Sequence, residues 1–73
     1  MPPDRTPTRA AWIDAFATRL GVEPPDASTV AVLLDLAGVA AHASERTAAP
    51  IACWLVGQAG LGPAEALTTA RST

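Results

Sequence analysis

The sequence predicts an all-α fold, a small three- to four-helix bundle in which the second and third helices are antiparallel. The chain of 73 residues is rich in alanine, which favours helix, and 49% of its residues are hydrophobic. Apolar residues recur at helical spacing, and few segments alternate with the two-residue period of a strand. Glycine and proline divide the chain into short segments that suit single helices. We therefore expect one helical domain at 8–73, preceded by a flexible N-terminal tail at 1–7.

The first helix is predicted to begin near Thr8, or at the Thr6–Pro7 pair, because these residue types suit a helix N-terminus. Gly21 suits its C-cap. The apolar residues between these ends share one helical face: Trp12, Ile13, Phe16 and Leu20. Large aromatic side chains of this kind are usually buried, so we expect Trp12 and Phe16 to anchor the core.

The second helix follows a proline-rich turn, and Asp26 or Ser28 can cap it. Its apolar side chains spread over more than one face: Val30, Val32, Leu33, Leu34, Leu36, Ala37, Ala41 and Ala43. This arc is wider than the usual ~100° of a surface helix, so we expect two different neighbours to cover it. Gly38 in the middle of the helix permits close approach of another helix or of a ligand.

The third helix is expected within 48–61, a stretch that is apolar almost all round. Thr47 can cap it, Pro50 lies in its first turn and Gly60 can end it. A helix of this character suits the centre of a bundle or one face of an interface. The short connection at 44–47 favours an antiparallel arrangement with the second helix.

A short fourth helix is predicted at Ala64–Arg71, at the end of the chain. Pro63 suits a helix start, and the glycines before it break the third helix. Leu67 is the large apolar side chain of this segment, so we expect it to face inward.

Composition and charge exclude several functions. The net charge is −2 and no basic stripe with interleaved aromatic residues is present, so we expect no nucleic-acid partner. The apolar stretch at 48–61 is shorter than the ~20 residues needed to span a bilayer, so we expect no membrane partner. The N-terminus is proline-rich and polar, unlike a signal peptide, so we expect a cytoplasmic protein.

The small size of the chain indicates association. A domain near 60 residues buries only about 60% of its unfolded surface and usually needs a disulfide, a metal or a partner. The single cysteine, Cys53, and the single histidine, His42, cannot supply an internal disulfide or a tetrahedral metal site. We therefore expect no metal and no cofactor. An antiparallel hairpin could place Cys53 level with His42 as a reactive dyad, although a cysteine in an apolar run is usually buried and inert.

The sequence contains no strong catalytic motif, so we assign no catalytic residue. Asp35, His42 and Arg46 are predicted on the polar side of the second helix, where His42 and Arg46 could bind an anion or a partner. The favoured alternative is a structural role, in which Arg46 complements the helix dipole and Arg46 or His42 bonds the final carbonyls of the helix. Trp54 and Gln58 lie one turn apart on the third helix and are candidate partner contacts.

Three segments resemble a family of small bacterial domains of unknown function that stand alone, or occur fused to or encoded near nucleotidyltransferases like the molybdenum-cofactor guanylyltransferase. These segments lie at 12–21, 33–42 and 45–57, within a stretch that covers about two thirds of the chain. Gly38 stands where the family pattern has a long polar or basic residue, and Thr47 where it has proline.

The resemblance implies a helical accessory domain that acts beside molybdenum-cofactor nucleotidyl transfer. It carries no catalytic residue over to this chain. The positions that match the family pattern and could carry a site are Asp35, His42, Arg46 and Pro50.

Three hypotheses for function follow, and a non-catalytic role is favoured over an enzymatic one. The first is a helical accessory or interaction domain, whose partner is a second copy or a larger enzyme such as a nucleotidyltransferase. The second is a small-ligand binding protein in which His42 and Arg46 contact the phosphate of a nucleotide or a pterin. The third is a small helical enzyme that builds its site in a dimer from Asp35, His42 and Arg46 of two chains.

Overall fold

The computed structural model describes residues 6–73, which form four helices and no strand. These are α1 (Arg9–Leu20), α2 (Ala27–Ala43), α3 (Ala48–Ala59) and α4 (Pro63–Arg71). The predicted all-α fold is confirmed. Most of the predicted tail at 1–7 lies outside the described residues, and its flexibility stays a prediction, as does the single domain at 8–73.

Side-chain caps start α1 and α2. The hydroxyl oxygen of Thr8 accepts a hydrogen bond from the Ala11 N–H at 3.1 Å, and the Asp26 carboxylate accepts one from the Thr29 N–H at 2.8 Å. Each bond satisfies a backbone donor that has no partner within its helix. The hydrogen bonds from Thr29, and a further one from the Ser28 hydroxyl, lower the pKa of Asp26 below its ordinary value of 3.8.

Glycine ends α1 and α3 as predicted. Gly21 and Gly60 have φ angles of 74° and 68°, in the left-handed region that glycine adopts without a steric cost. The prediction that the Thr47 side chain caps the start of α3 was wrong. Thr47 holds the N-cap position but makes no side-chain cap bond, because its backbone is already helical, with φ −70° and ψ −13°, instead of extended like those of the N-cap residues of α1 and α2. Its hydroxyl donates to the Glu45 carboxylate at 3.5 Å.

The core lies where α2 meets α3 and α4. Leu36 is only 1% exposed and packs with Ala66 and Leu67 of α4. Partly buried side chains surround these three: Val32, Val39, Ala52, Cys53 and Val56. The wide apolar arc of α2 is therefore covered by two neighbours, as expected, and Leu67 faces inward.

The central helix is α2, so the prediction that the third helix occupies the centre of the bundle was wrong for this chain. α2 packs extensively against both α3 and α4. No residue of α3 is fully buried. The residues at 44–47 connect α2 to α3, which pack against each other as the predicted antiparallel pair requires. The second reading of α3, as one face of an interface, is compatible with its exposure.

Helix α1 makes no comparably extensive contact with another helix. Ile13 is half-buried and Ala17 is buried, whereas Trp12 is 53% and Phe16 47% exposed. The prediction that these aromatic residues anchor the core was therefore wrong. Their rings pack on each other with centroids 5.0 Å apart, and with Leu20 they form an exposed row that we call the α1 ridge.

The described helices form an elongated molecule. Its principal extents are 46 × 29 × 19 Å and its radius of gyration is 14.0 Å, against about 11 Å for a compact domain of this length. The short core and the loosely attached α1 account for this shape. No helix among residues 6–73 is both long and apolar enough to cross a bilayer.

Candidate interaction surface

An open apolar groove lies among α2, α3 and α4, with a volume of about 560 Å³. Sixteen residues line it and none has a charged side chain: Leu36, Val39, Ala40, Ala43, Ser44, Ala48, Ile51, Ala52, Leu55, Val56, Ala59, Leu61, Ala66, Thr69, Ala70 and Thr73. Alanines keep it wide because their side chains do not fill the space between the helices. The large side chains of Ile51, Leu55 and Leu61 remain exposed along it. We refer to this feature as the apolar groove.

The outer face of α3 carries two of the candidate residues, Trp54 and Gln58. Both are exposed, Trp54 by 62%, and neither lines the apolar groove. A tryptophan this open to water leaves a large apolar area uncovered, which is typical of a contact surface rather than of a core. The structure therefore keeps Trp54 and Gln58 together, next to the groove, and available to a partner.

A shallow polar depression brings Asp35 and His42 of α2 together with Arg71 of α4, around Gly38. It is wide open to solvent, and its volume is about 620 Å³. The His42 Nδ1 atom lies 2.8 Å from the Gly38 carbonyl oxygen, which can only accept, so Nδ1 carries the proton. Among residues 6–73 no hydrogen bond or ion pair joins the three charged or titratable side chains. None of the three side chains therefore holds another in a fixed position.

Arg46 does not join this group, so its predicted place one helical turn beyond His42 was wrong. Helix α2 ends at Ala43, and Ser44 has a non-helical backbone with φ −137° and ψ −101°. Arg46 therefore lies in the connection to α3, where it is exposed. The basic residue that lines the same depression as His42 is Arg71. The pattern within one helix could not identify it, because it comes from the end of a different helix.

The Cys–His dyad that an antiparallel hairpin could allow is not formed, and the interpretation of Cys53 as a packed thiol agrees with the structure. Cys53 packs against the core cluster, and the ring nitrogen of His42 bonds the backbone of its own helix. In the part of the chain that the structure describes, no group of three His, Cys, Asp or Glu residues could hold a metal ion. Gly38 has no neighbouring atom within 4 Å of where a Cβ would stand, so no helix approaches it closely.

Together the fold and its surface define a small all-helical domain with a short core, an open apolar groove and two exposed tryptophans. Residues 4–73 match a family described as a domain of unknown function, DUF6457, and the chain belongs to that family. No curated protein and no solved structure matches it. The expected membership of a family of unknown function is confirmed, and the match refers to no molybdenum-cofactor enzyme.

Proposed function

We propose that this protein is a non-catalytic helical interaction domain whose exposed apolar surface is covered by another protein chain. The observation that carries the proposal is that more large apolar side chains are exposed than are buried in the core. Among residues 6–73, nine large apolar side chains are at least 41% exposed, whereas the core cluster contains three buried residues, of which Leu36 alone is fully buried. Exposed apolar side chains that gather in patches commonly mark binding surfaces.

The total surface area supports the same reading. The accessible surface is 5832 Å², against about 4200 Å² for a monomer of this mass. The chain thus buries about 45% of its unfolded surface, where a small domain usually buries about 60%. A partner would supply the missing burial.

Recovery of the tagged chain from its native host, followed by mass spectrometry of the proteins that accompany it, tests this proposal. We expect a partner to bind the unmodified chain and to be lost on Trp54→Ala. Thr68→Ala is the matched control, because Thr68 is exposed on α4 and lies outside the groove. A chain that stays monomeric and recovers no protein would contradict the proposal.

We propose, on the sequence resemblance alone, that the partner enzyme is a nucleotidyltransferase of the molybdenum-cofactor guanylyltransferase type. The test is co-elution of the two purified proteins from a size-exclusion column. The expected result is a complex that Trp54→Ala abolishes and Thr68→Ala retains. Separate elution at concentrations well above micromolar would remove this identification and leave the interaction role untouched.

A small-ligand role has one observation in its favour, the meeting of His42 and Arg71 at the polar depression. The Arg71 guanidinium is a donor that suits a phosphate of a nucleotide or a pterin. Calorimetry with guanine nucleotides and a pterin phosphate tests it, with Arg71→Ala expected to abolish any heat. The enzymatic alternative has less support, because Arg46 does not join Asp35 and His42.

A further inference from the structure

The α1 ridge is an apolar row that its own chain leaves uncovered. Trp12, Phe16 and Leu20 recur every four residues, so the row runs along one side of α1 for about 12 Å. Its side chains are 53%, 47% and 60% exposed. The rings of Trp12 and Phe16 contact each other, so this part of the row is one continuous aromatic surface. The helix turns Ile13 and Ala17, and not this row, toward the rest of the chain.

The apolar groove has a wall of matching length and spacing. Ile51, Leu55 and Ala59 of α3 recur every four residues along it, which again gives about 12 Å. Rows of this spacing on two helices interdigitate in the commonest class of helix packing. Neither surface carries a charge within the row, so contact between them would bury no unpaired ion.

The groove is remote from α1 of the same chain. It lies along the second half of α2, from Leu36 to Ala43. Helix α1 lies instead beside the first turns of α2, where Ile13 faces Val30 and Leu33 across a smaller groove. The ridge and the apolar groove are therefore both open on one chain without meeting.

The area available approaches what a stable dimer requires. The six large side chains of the ridge and groove are 41–60% exposed, which at about 200 Å² for a whole side chain gives roughly 600 Å² per chain before the alanines of the groove are added. A standard interface buries about 800 Å² per partner. Reciprocal contact, ridge to groove and groove to ridge, gives a closed two-fold pair in which each chain contributes both surfaces.

We propose that the apolar groove binds the α1 ridge of a second copy of this chain, and that the two chains make this contact reciprocally. The inference rests on the proposed function, since it names the partner of the same apolar surface. It leaves Trp54 and Gln58 on the outside of the pair, where a further protein can reach them.

Disulfide trapping between two different chains tests the contact directly. One chain carries Phe16→Cys and the other Leu55→Cys, both with Cys53→Ala. These are the central residues of the two rows, so they meet whichever way the helices run. The two chains are mixed in equal amounts and oxidised, and random pairing would make half of the disulfide-linked dimers mixed ones. We expect a mixed share well above one half, because a disulfide needs the two Cβ atoms to be about 4 Å apart. Thr18→Cys with Leu55→Cys is the control, since Thr18 lies on the opposite side of α1, and its yield should stay at the random level.

Sedimentation of chains that keep Cys53 provides the second measurement. We expect the unmodified chain to sediment at twice its 7.4 kDa mass, Phe16→Glu to weaken association by about 100-fold, and Thr18→Glu to remain a dimer. A chain that is monomeric throughout, or a dimer that survives Phe16→Glu, would overturn the contact between the α1 ridge and the apolar groove. In either case recovery of another protein through Trp54 keeps the proposed function, and a monomer that recovers nothing ends both.

Discussion

The position of the core can be tested with one substitution made at two sites on the same helix. Leu36 is 1% exposed at the centre of the core, whereas Leu34, two residues away, is 51% exposed. Leucine to alanine removes three carbon atoms in both cases, so the chemistry is matched and only burial differs. The comparison separates the contribution of packing from that of helix propensity.

The expected costs follow from the burial of each side chain. At about 0.8 kcal/mol for each buried carbon, Leu36→Ala loses about 2.4 kcal/mol of transfer free energy. The residual cavity raises the total to about 3 kcal/mol. Leu34→Ala loses about half of the transfer term, or about 1.2 kcal/mol. A chain of this length has a free energy of unfolding of about 4–11 kcal/mol, so the first change removes a large part of it.

Urea unfolding followed by far-ultraviolet circular dichroism measures both variants. With a slope of about 1 kcal/mol per molar urea, the midpoint should fall by about 3 M for Leu36→Ala and by about 1 M for Leu34→Ala. The measurement is made at two protein concentrations, because association adds stability that depends on concentration. If Leu36→Ala is already unfolded without urea while Leu34→Ala is folded, the result agrees with the larger cost predicted at Leu36. Equal costs at the two positions would refute the assignment of α2 as the centre of the core.

Three further predictions concern caps and glycines. Gly38→Ala should raise the free energy of unfolding by about 0.5–1 kcal/mol in urea titrations, since the helix has room for the methyl group; a loss would show that something occupies that space. Thr8→Ala should lower the helix content measured by circular dichroism, at a cost of about 1 kcal/mol, whereas Thr47→Ala, which removes no cap bond, should change stability by less than about 0.5 kcal/mol; equal effects would contradict the cap geometry. Asp26 has a lowered pKa, so its charged form stabilises the folded chain fully above pH 3.8, and this contribution is lost as the pH falls through the lower folded value. Asp26→Asn keeps a cap but cannot titrate, so its stability relative to the unmodified chain should improve below pH 3.8 in urea titrations, and a constant difference would argue against the cap bond.

Most of the helix boundaries could be predicted from the sequence, because they depend on the capping preferences of single residues. Thr8 and Asp26 are strong N-cap residues, and Gly21 and Gly60 are the residues that adopt a left-handed backbone at a helix end. Each of these preferences depends on the few residues around it. Thr47 is the exception, because the turn before α3 gives it a helical backbone in place of the extended one that lets a side chain cap.

The environment of each apolar face could not be predicted in the same way. Helical spacing shows that Trp12 and Phe16 share a side of α1, but not whether that side meets the same chain, another chain or water. The same holds for α3, whose apolar character predicted a central position that α2 occupies instead. Arg71 was missed at the polar depression because it reaches His42 through the packing of α4 on α2, which has no signature in either helix alone.

The uneven attachment of the helices gives the chain more than one level of local stability. Because α2 packs against two helices, we expect its amide protons to exchange with solvent only when the whole core opens. We expect those of α1 to exchange when this one helix detaches, which leaves Leu36 and its neighbours in place. A helix with few contacts has a low free energy of local opening. Helix α1 can therefore change its position while α2, α3 and α4 stay folded.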